Sequence, residues 1–357
     1  METALSVSEL WKKRPEVIRQ FVEKRPSCEK LAEEVAYVLD KAVRRKGIEF
    51  ASITYRAKTL DSFCEKIVRK KYEDPLAQVT DLVGVRIVYL YSSDKAKIEK
   101  LIQKEFVVVE RIDRIDKTNA DKFGYGALHF LVKLGKKTSG ARYDDLKNML
   151  CEIQVRTILQ DAWSIVGHHL SYKRESDVPV ELRRKLNALA GLFETADDQF
   201  NRLNADRKAY AQSLRLEISQ SPADFATDLN LDSLVEYLKV KYADREGNTK
   251  DDVADLLNGL KIEGFTTLSD LDEAMIKTEK AFSAYERKYP PEPGPDEDPT
   301  ESRSNKFAAV GVVRISMELL SEKYMQAEFV RDQVKPSEET LARMNEFRHL
   351  VKSPAKQ

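Results

Sequence analysis

Apolar residues recur at helical spacing at the start of the chain: Leu10, Trp11, Val17, Ile18 and Phe21, then Leu31, Val35, Val38 and Leu39. With Lys46-Gly47 as a stop, this pattern predicts two helices over residues 7 to 46. From 48 to 156 the period shortens. IEFASITY, GVRIVYLY, FVVVERID, ALHFLVKL and MLCEIQV are rich in β-branched and aromatic residues and predict five strands. Helical segments near 59 to 72 and 93 to 105 lie between them, so the expected fold is α/β (α+β), a mixed β-sheet flanked by helices. Residues 157 to 215 return to helical periodicity through Trp163, Leu170, Leu182, Leu186, Leu189, Leu192 and Phe200.

This predicts N-terminal helices over 1–46, a sheet-containing domain over 47–215 and a small helical domain over 216–288. Residues 289 to 304, YPPEPGPDEDPTESRS, hold five of the twelve prolines, which marks 289–305 as an extended acidic linker. A last amphipathic helix, roughly 306 to 334, and a tail complete a helical C-terminal region over 306–357. No internal repeat stands out.

Composition narrows the class. Of 357 residues, 42% are hydrophobic and 34% charged, enough for one or two cores and too polar for a membrane protein. Basic and acidic residues balance at 60 each, so affinity for a nucleotide or nucleic acid has to come from local patches. Cys28, Cys64 and Cys151 show no CxxC spacing, and METALSVSELWKKRPE has neither a signal-type apolar stretch nor a cleavage site. The expectation is a protein of the reducing cytoplasm, without a disulfide or zinc framework and without a membrane partner.

Local patches do occur. Arg56, Lys58, Lys66, Arg69, Lys70 and Lys71 cluster in and around a short helix for which Thr59 is the natural N-cap, with Ser62 and Lys66 four apart on one face. Free backbone N–H groups, a hydroxyl and several cations aimed at one place suit a polyphosphate; a solvated basic helix face is the commoner meaning of such spacing. Asp81, three residues before Gly84, and Glu152, inside the apolar strand CEIQV, are costly to bury unless paired or bound to metal. Carboxylates on neighbouring strands would hold a hard cation such as Mg²⁺, which bridges phosphate oxygens, whereas Asp81 alone is equally a strand-entry turn residue. Glu152, Gln154 and Arg156 alternate and project to one face of their strand. In FGYGALH, Tyr125 and His129 read either as core residues or as part of the same constellation, and Trp163 at helical spacing reads as packing.

Five ordered motifs over residues 45 to 175 resemble those of the RelA/SpoT-type alarmone synthetases, which move pyrophosphate from ATP to the ribose 3′ hydroxyl of GDP or GTP. Arg56, Lys58, Ser62 and Lys66 match R-x-K-x3-S-x3-K. Asp81, Gly84 and Arg86 match D-x2-G-x-R, and Gly124, Tyr125 and His129 match G-Y-x3-H. Glu152 to Thr157 match E-I-Q-x-R-T, and Trp163, His168, Tyr172 and Lys173 match W-x4-H-x3-Y-K. The resemblance implies a nucleotidyltransferase-like synthetase domain that makes (p)ppGpp. In that family, Arg56, Lys58, Ser62 and Lys66 would bind the ATP phosphates, with Arg86 at the adenine or phosphates. Asp81 and Glu152 would hold Mg²⁺ as the catalytic carboxylates, Glu152 helping to deprotonate the attacking hydroxyl. Tyr125 would stack on the acceptor base, and His129, Gln154 and Arg156 would position the acceptor.

There are departures. The segment before the tyrosine is basic and proline-containing in the family, but here it is NADKF, and Gly126 stands where arginine is common, so the acceptor's phosphate clamp is weakened. Gly167 replaces a frequent glutamate before His168. With four histidines and no HD pair, the chain lacks the signature of the family's hydrolase domain. ATP and a guanine nucleotide are thus the expected substrates. An altered acceptor loop leaves open a toxic relative that pyrophosphorylates the 3′ end of tRNA, and a catalytically weak nucleotide-binding regulator is a third reading, against which both carboxylates speak. Oligomeric state, a homo-oligomer included, stays open.

Overall fold

The computed structural model describes residues 7–113, 126–135, 137–170, 179–220, 227–245, 247–291, 306–331 and 337–351. The chain divides into two compact units, residues 1–205 and 206–357.

The first unit is built on a five-stranded mixed sheet in the order β1-β2-β5-β4-β3. Its strands are β1 (Phe50–Ala57), β2 (Val83–Tyr89), β3 (Phe106–Asp113), β4 (Leu128–Leu134) and β5 (Cys151–Thr157). All five coincide with the segments expected from the sequence. β2 and β5 run parallel at the centre, while β1–β2, β4–β5 and β3–β4 are antiparallel. The parallel pair follows from the connection: β2 leads through α5 (Lys95–Glu105) and two further strands before β5 returns beside it.

One sheet face is apolar. Val83, Val85 and Ile87 of β2, Cys151, Ile153 and Val155 of β5, and Leu128, Phe130 and Val132 of β4 are almost fully buried, in one core with Leu31, Val35 and Leu39 of α2 (Pro15–Arg45) and Ile98 and Ile102 of α5. Burial of each such side chain contributes about 1.5–3 kcal/mol. The N-terminal helices α1 (Val7–Lys13) and α2 therefore share the core of the sheet, and Phe21 stacks on Phe63 of α3 (Leu60–Lys70) with ring centroids 4.3 Å apart.

The strand-to-helix junction after β5 is fixed locally. Thr157 Oγ1 accepts from Gln160 N at 3.1 Å while Thr157 N donates to Gln160 Oε1 at 2.9 Å, a reciprocal cap that starts α6 (Ile158–Leu170). Thr157 Oγ1 also donates to Asp197 of α7 (Val180–Gln220) at 2.8 Å.

The second unit is helical and has its own core. Asn230, Thr249 and Thr267 each close a capping box at the start of α8 (Leu231–Lys241), α9 (Lys250–Ile262) and α10 (Leu268–Lys288). Buried Asp272 accepts from Tyr237 Oη at 2.7 Å and pairs with Lys241 at 2.9 Å. The single helix expected over 306 to 334 is instead α11 (Ala309–Leu320) and α12 (Glu322–Arg331), followed by α13 (Glu338–Arg348). The break is chemical: Ser321 takes an extended backbone, and its Oγ accepts from Tyr324 N at 3.1 Å, so it caps the next helix. Among the described residues, no helix is long and apolar enough to cross a membrane.

Gly135, just after β4, marks a tight approach between strand and helix. A Cβ there would lie 2.0 Å from the carbonyl oxygen of Glu105, the last residue of α5. Gly135→Ala is expected to destabilise the first unit by about 1–3 kcal/mol, since backbone has to shift to admit the methyl; an unchanged urea midpoint would contradict this packing.

Candidate active site

The opposite sheet face is polar because β5 alternates. Cys151, Ile153 and Val155 enter the core, so Glu152, Gln154 and Arg156 emerge together. Register brings neighbours alongside: Gly84 lies opposite Glu152 and Arg86 opposite Gln154 in parallel pairing, while His129 of β4 lies opposite Gln154 from the other side. On β1, Arg56 and Thr54 face Gly84 and Arg86. Thr54, Tyr55, Arg56, Asp81, Gly84, Val85, Arg86, Glu152 and Gln154 line one cavity of about 250 Å³. A Cβ on Gly84 would meet nothing within 4 Å, so the glycine leaves open space where the strands meet.

Asp81 enters from the turn before β2. Lys58 N donates to Leu82 O at 2.8 Å, tying the loop after β1 to that turn, and Lys58 Nζ donates to Asp81 Oδ2 at 2.9 Å. Lys66 Nζ, from α3, lies 2.8 Å from Oδ1 as an ion pair. Burial pushes the Asp81 carboxyl up, but the two lysines outweigh it and hold the group below the usual aspartate range. The sequence presents these lysines as phosphate ligands and Asp81 as a metal ligand; in this structure both lysines pair with Asp81, which leaves one positive charge in excess.

Glu152 is set differently. His129 Nδ1 lies 2.8 Å from its Oε1, and Gln154 Nε2 donates to its Oε2 at 3.0 Å. Burial raises its carboxyl and the charge of Asp81 adds to that, yet the His129 and Gln154 hydrogen bonds bring it below the usual glutamate range. Both carboxylates are therefore ionised at neutral pH.

The remaining expected residues are placed as follows. Ser62 is exposed, accepting at its Oγ from Thr59 Oγ1 at 2.9 Å, while Ser62 N donates to Thr59 Oγ1 at 3.3 Å. Its hydroxyl thus belongs to the N-cap of α3, which Thr59 begins as expected. Arg69 and Lys70 are exposed in the last turn of that helix. Trp163 packs edge-on against Phe193, ring centroids 6.0 Å apart. Tyr125, Tyr172 and Lys173 lie outside the described residues, as does the NADKF segment, and of His168 only the helical backbone is described.

One residue that the motifs did not single out joins the site. Asp161, in the first turn of α6, lies with Oδ1 at 3.0 Å from Arg86 Nη1 and 3.4 Å from Arg156 Nη1. The Thr-x-x-Gln cap at 157–160 was the available signal, because it fixes where the helix begins and hence which residue of its first turn faces the sheet. Burial holds the Arg156 guanidinium below its ordinary value, and the nearby Arg86 charge adds to this.

Residues 55–177 match the family described as "Region found in RelA / SpoT proteins". Among curated proteins, the chain is 27% identical over 164 residues to GTP pyrophosphokinase YjbM of Bacillus subtilis (strain 168), covering 44% of this chain and 73% of the relative. It is 27% identical over 150 residues to GTP pyrophosphokinase YwaC of the same organism, covering 40% and 69%. Among solved structures, small alarmone synthetase 1 from Bacillus subtilis bound to its product pppGpp aligns at 24% identity with a TM-score of 0.37, over 48% of this chain and 92% of that one; at that score the sheet order above remains the argument for the fold. The motifs of the 55–177 segment and the mixed sheet that carries most of them agree with the family match: residues 55–177 form a region of the kind found in RelA/SpoT proteins.

Proposed function

We propose that this chain is a pyrophosphokinase that transfers the β,γ-pyrophosphoryl group of ATP to the ribose 3′ hydroxyl of GDP or GTP, forming (p)ppGpp and leaving AMP. The observation that carries the reading is one cavity lined by two ionised carboxylates, Asp81 and Glu152, and by Arg56 and Arg86, with Lys58 and Lys66 held at its edge on Asp81. The relatives named GTP pyrophosphokinase support the reaction class.

In this reading the lysines change partners. A triphosphate offers Lys58 and Lys66 more negative charge than the single carboxylate they hold, so they turn to phosphate oxygens and free Asp81. The carboxylates fit Mg²⁺: Asp81 and Glu152 line one cavity and are close enough for like-charge repulsion, which a bound divalent cation would relieve. That suits an ion that takes one or two carboxylates and completes its shell with phosphate oxygens and water. When bound, Mg²⁺ would neutralise polyphosphate charge.

Glu152 then receives the acceptor hydroxyl. A carboxylate held below its ordinary pKa is a weak base, so its contribution is to orient the hydroxyl by accepting its hydrogen bond and to take the proton late, as the 3′ oxygen bonds to the β-phosphorus and the α–β bridge breaks. Phosphoryl transfer with a loose transition state asks for little more. His129 and Gln154 fix the carboxylate's direction, and Arg156 supplies charge on the acceptor side. Tyr125, by its motif position, would stack on the acceptor base.

The deciding assay incubates the protein with γ-labelled ATP and, separately, GDP, GTP, AMP and deacylated tRNA. Label on GDP or GTP is expected; label on tRNA alone would replace this acceptor. Asp81→Asn and Glu152→Gln are each expected to lower transfer by about 100-fold or more at saturating Mg²⁺, and turnover near wild type in either variant would remove the two-carboxylate site.

The carboxylates also predict a pH signature. Both have folded-state pKa values below their unfolded ones, so the stability they contribute is fully present above the unfolded values and is lost as pH falls through the folded ones. Relative to the Asp81→Asn/Glu152→Gln double variant, the wild type should gain in urea midpoint above about pH 5, and the gap should close below about pH 4. A gap that stayed constant from pH 3 to 7 would mean the pairs do not hold.

A further inference from the structure

Asp161 stands apart from the motifs yet touches two of them. Its Oδ1 is shared by Arg86 of β2 and Arg156 of β5, and the three side chains are mostly buried, at 17%, 30% and 10% exposure. Two guanidinium groups on adjacent strands thus depend on one carboxylate oxygen, which leaves one positive charge in excess. The Nε atoms of both arginines are buried without a hydrogen-bond partner, as is Oε1 of Gln154, which lies opposite Arg86 in the register and two residues before Arg156 on β5. A buried donor without a partner costs about 1–3 kcal/mol, so each arginine has capacity unspent in the absence of ligand. Their mutual repulsion would splay them apart if the carboxylate were removed. Asp161 itself has little freedom, because the reciprocal Thr157–Gln160 cap fixes the first turn of α6.

We propose that Asp161 is a positioning residue that holds Arg86, on the ATP side, and Arg156, on the acceptor side, in one geometry, so that the two nucleotide sites share a single carboxylate. The proposal rests on the pyrophosphokinase reading for which arginine serves which nucleotide. It differs from simple neutralisation of buried arginines in one respect: Asp161 acts on each ligand only through that ligand's arginine.

A double-mutant cycle separates the two. On the full chain, calorimetric Kd values are measured for a non-hydrolysable ATP analogue and for GDP in wild type, Asp161→Asn, Arg86→Met, Arg156→Met and the two doubles with Asp161→Asn. Asp161→Asn is expected to weaken both ligands by about tenfold, the factor for roughly 1.4 kcal/mol. In the Arg86→Met background it should leave the ATP analogue within about twofold while still weakening GDP, and in the Arg156→Met background the pattern should reverse. Equal weakening in every background, or no weakening in wild type, overturns the proposal. If Asp161→Asn fails to fold, Asp161→Glu, which displaces the charge by one methylene, goes through the same cycle and has to give the same pattern. Because the readout is binding, a wild type that binds both ligands but labels no acceptor would overturn the transfer reading and leave the Asp161 result decisive, whereas one that binds neither would overturn both.

Discussion

The alternation of β5, paired in parallel with β2, is the constraint on which the site depends. A strand at the centre of a sheet has no free edge, so its only variable is which residues point to which face. Cys151, Ile153 and Val155 enter the core with Val85 and Ile87, and that choice obliges Glu152, Gln154 and Arg156 to share the other face with Gly84 and Arg86. A slip of one residue would bury a carboxylate and a guanidinium in the apolar core, which is costly enough to exclude the alternative register. The same forces that hold the fold together therefore assemble the charges.

The pocket that results is charge-dense, with its carboxylates paired and positive charge in excess. Asp81 holds Lys58 and Lys66, Asp161 holds Arg86 and Arg156, and Glu152 is kept ionised by His129 and Gln154. Paired cations keep their side chains ordered, and under the proposed pyrophosphokinase reading a polyphosphate would displace carboxylates from cations that are already in position. Preorganisation of this kind is what a reaction governed by positioning and electrostatics requires.

Much of this was legible in the sequence. Runs of β-branched and aromatic residues located all five strands, and Thr59 with its following helix announced the α3 cap. The grouping of Glu152, Gln154 and Arg156 on one face follows from strand geometry alone. What was not legible depends on three-dimensional partners. The R-x-K-x3-S-x3-K spacing does not say that both lysines turn to Asp81, or that the Ser62 hydroxyl sits in the helix cap, because competing partners at similar reach decide that. Asp161 gives no pattern of its own; its importance arises where α6 meets two strands distant in sequence. The helix expected over 306 to 334 carried no sign of its break, which the bond from Tyr324 N to Ser321 Oγ reveals.

The C-terminal unit sharpens the view of the domain itself. Among the described residues, the buried core around the sheet runs from Leu10 to Val155, and that of the helical unit from Leu214 to Phe347. The residues that set the register, and with it the carboxylates, lysines and arginines, all lie within the first unit. Capping boxes at α8, α9 and α10 and the Tyr237–Asp272–Lys241 network give the second unit its own local determinants of structure. A substitution on the surface of residues 206–357 therefore touches none of the residues that set the alternation of β5, so the charges of the site are determined by the sequence of the first unit.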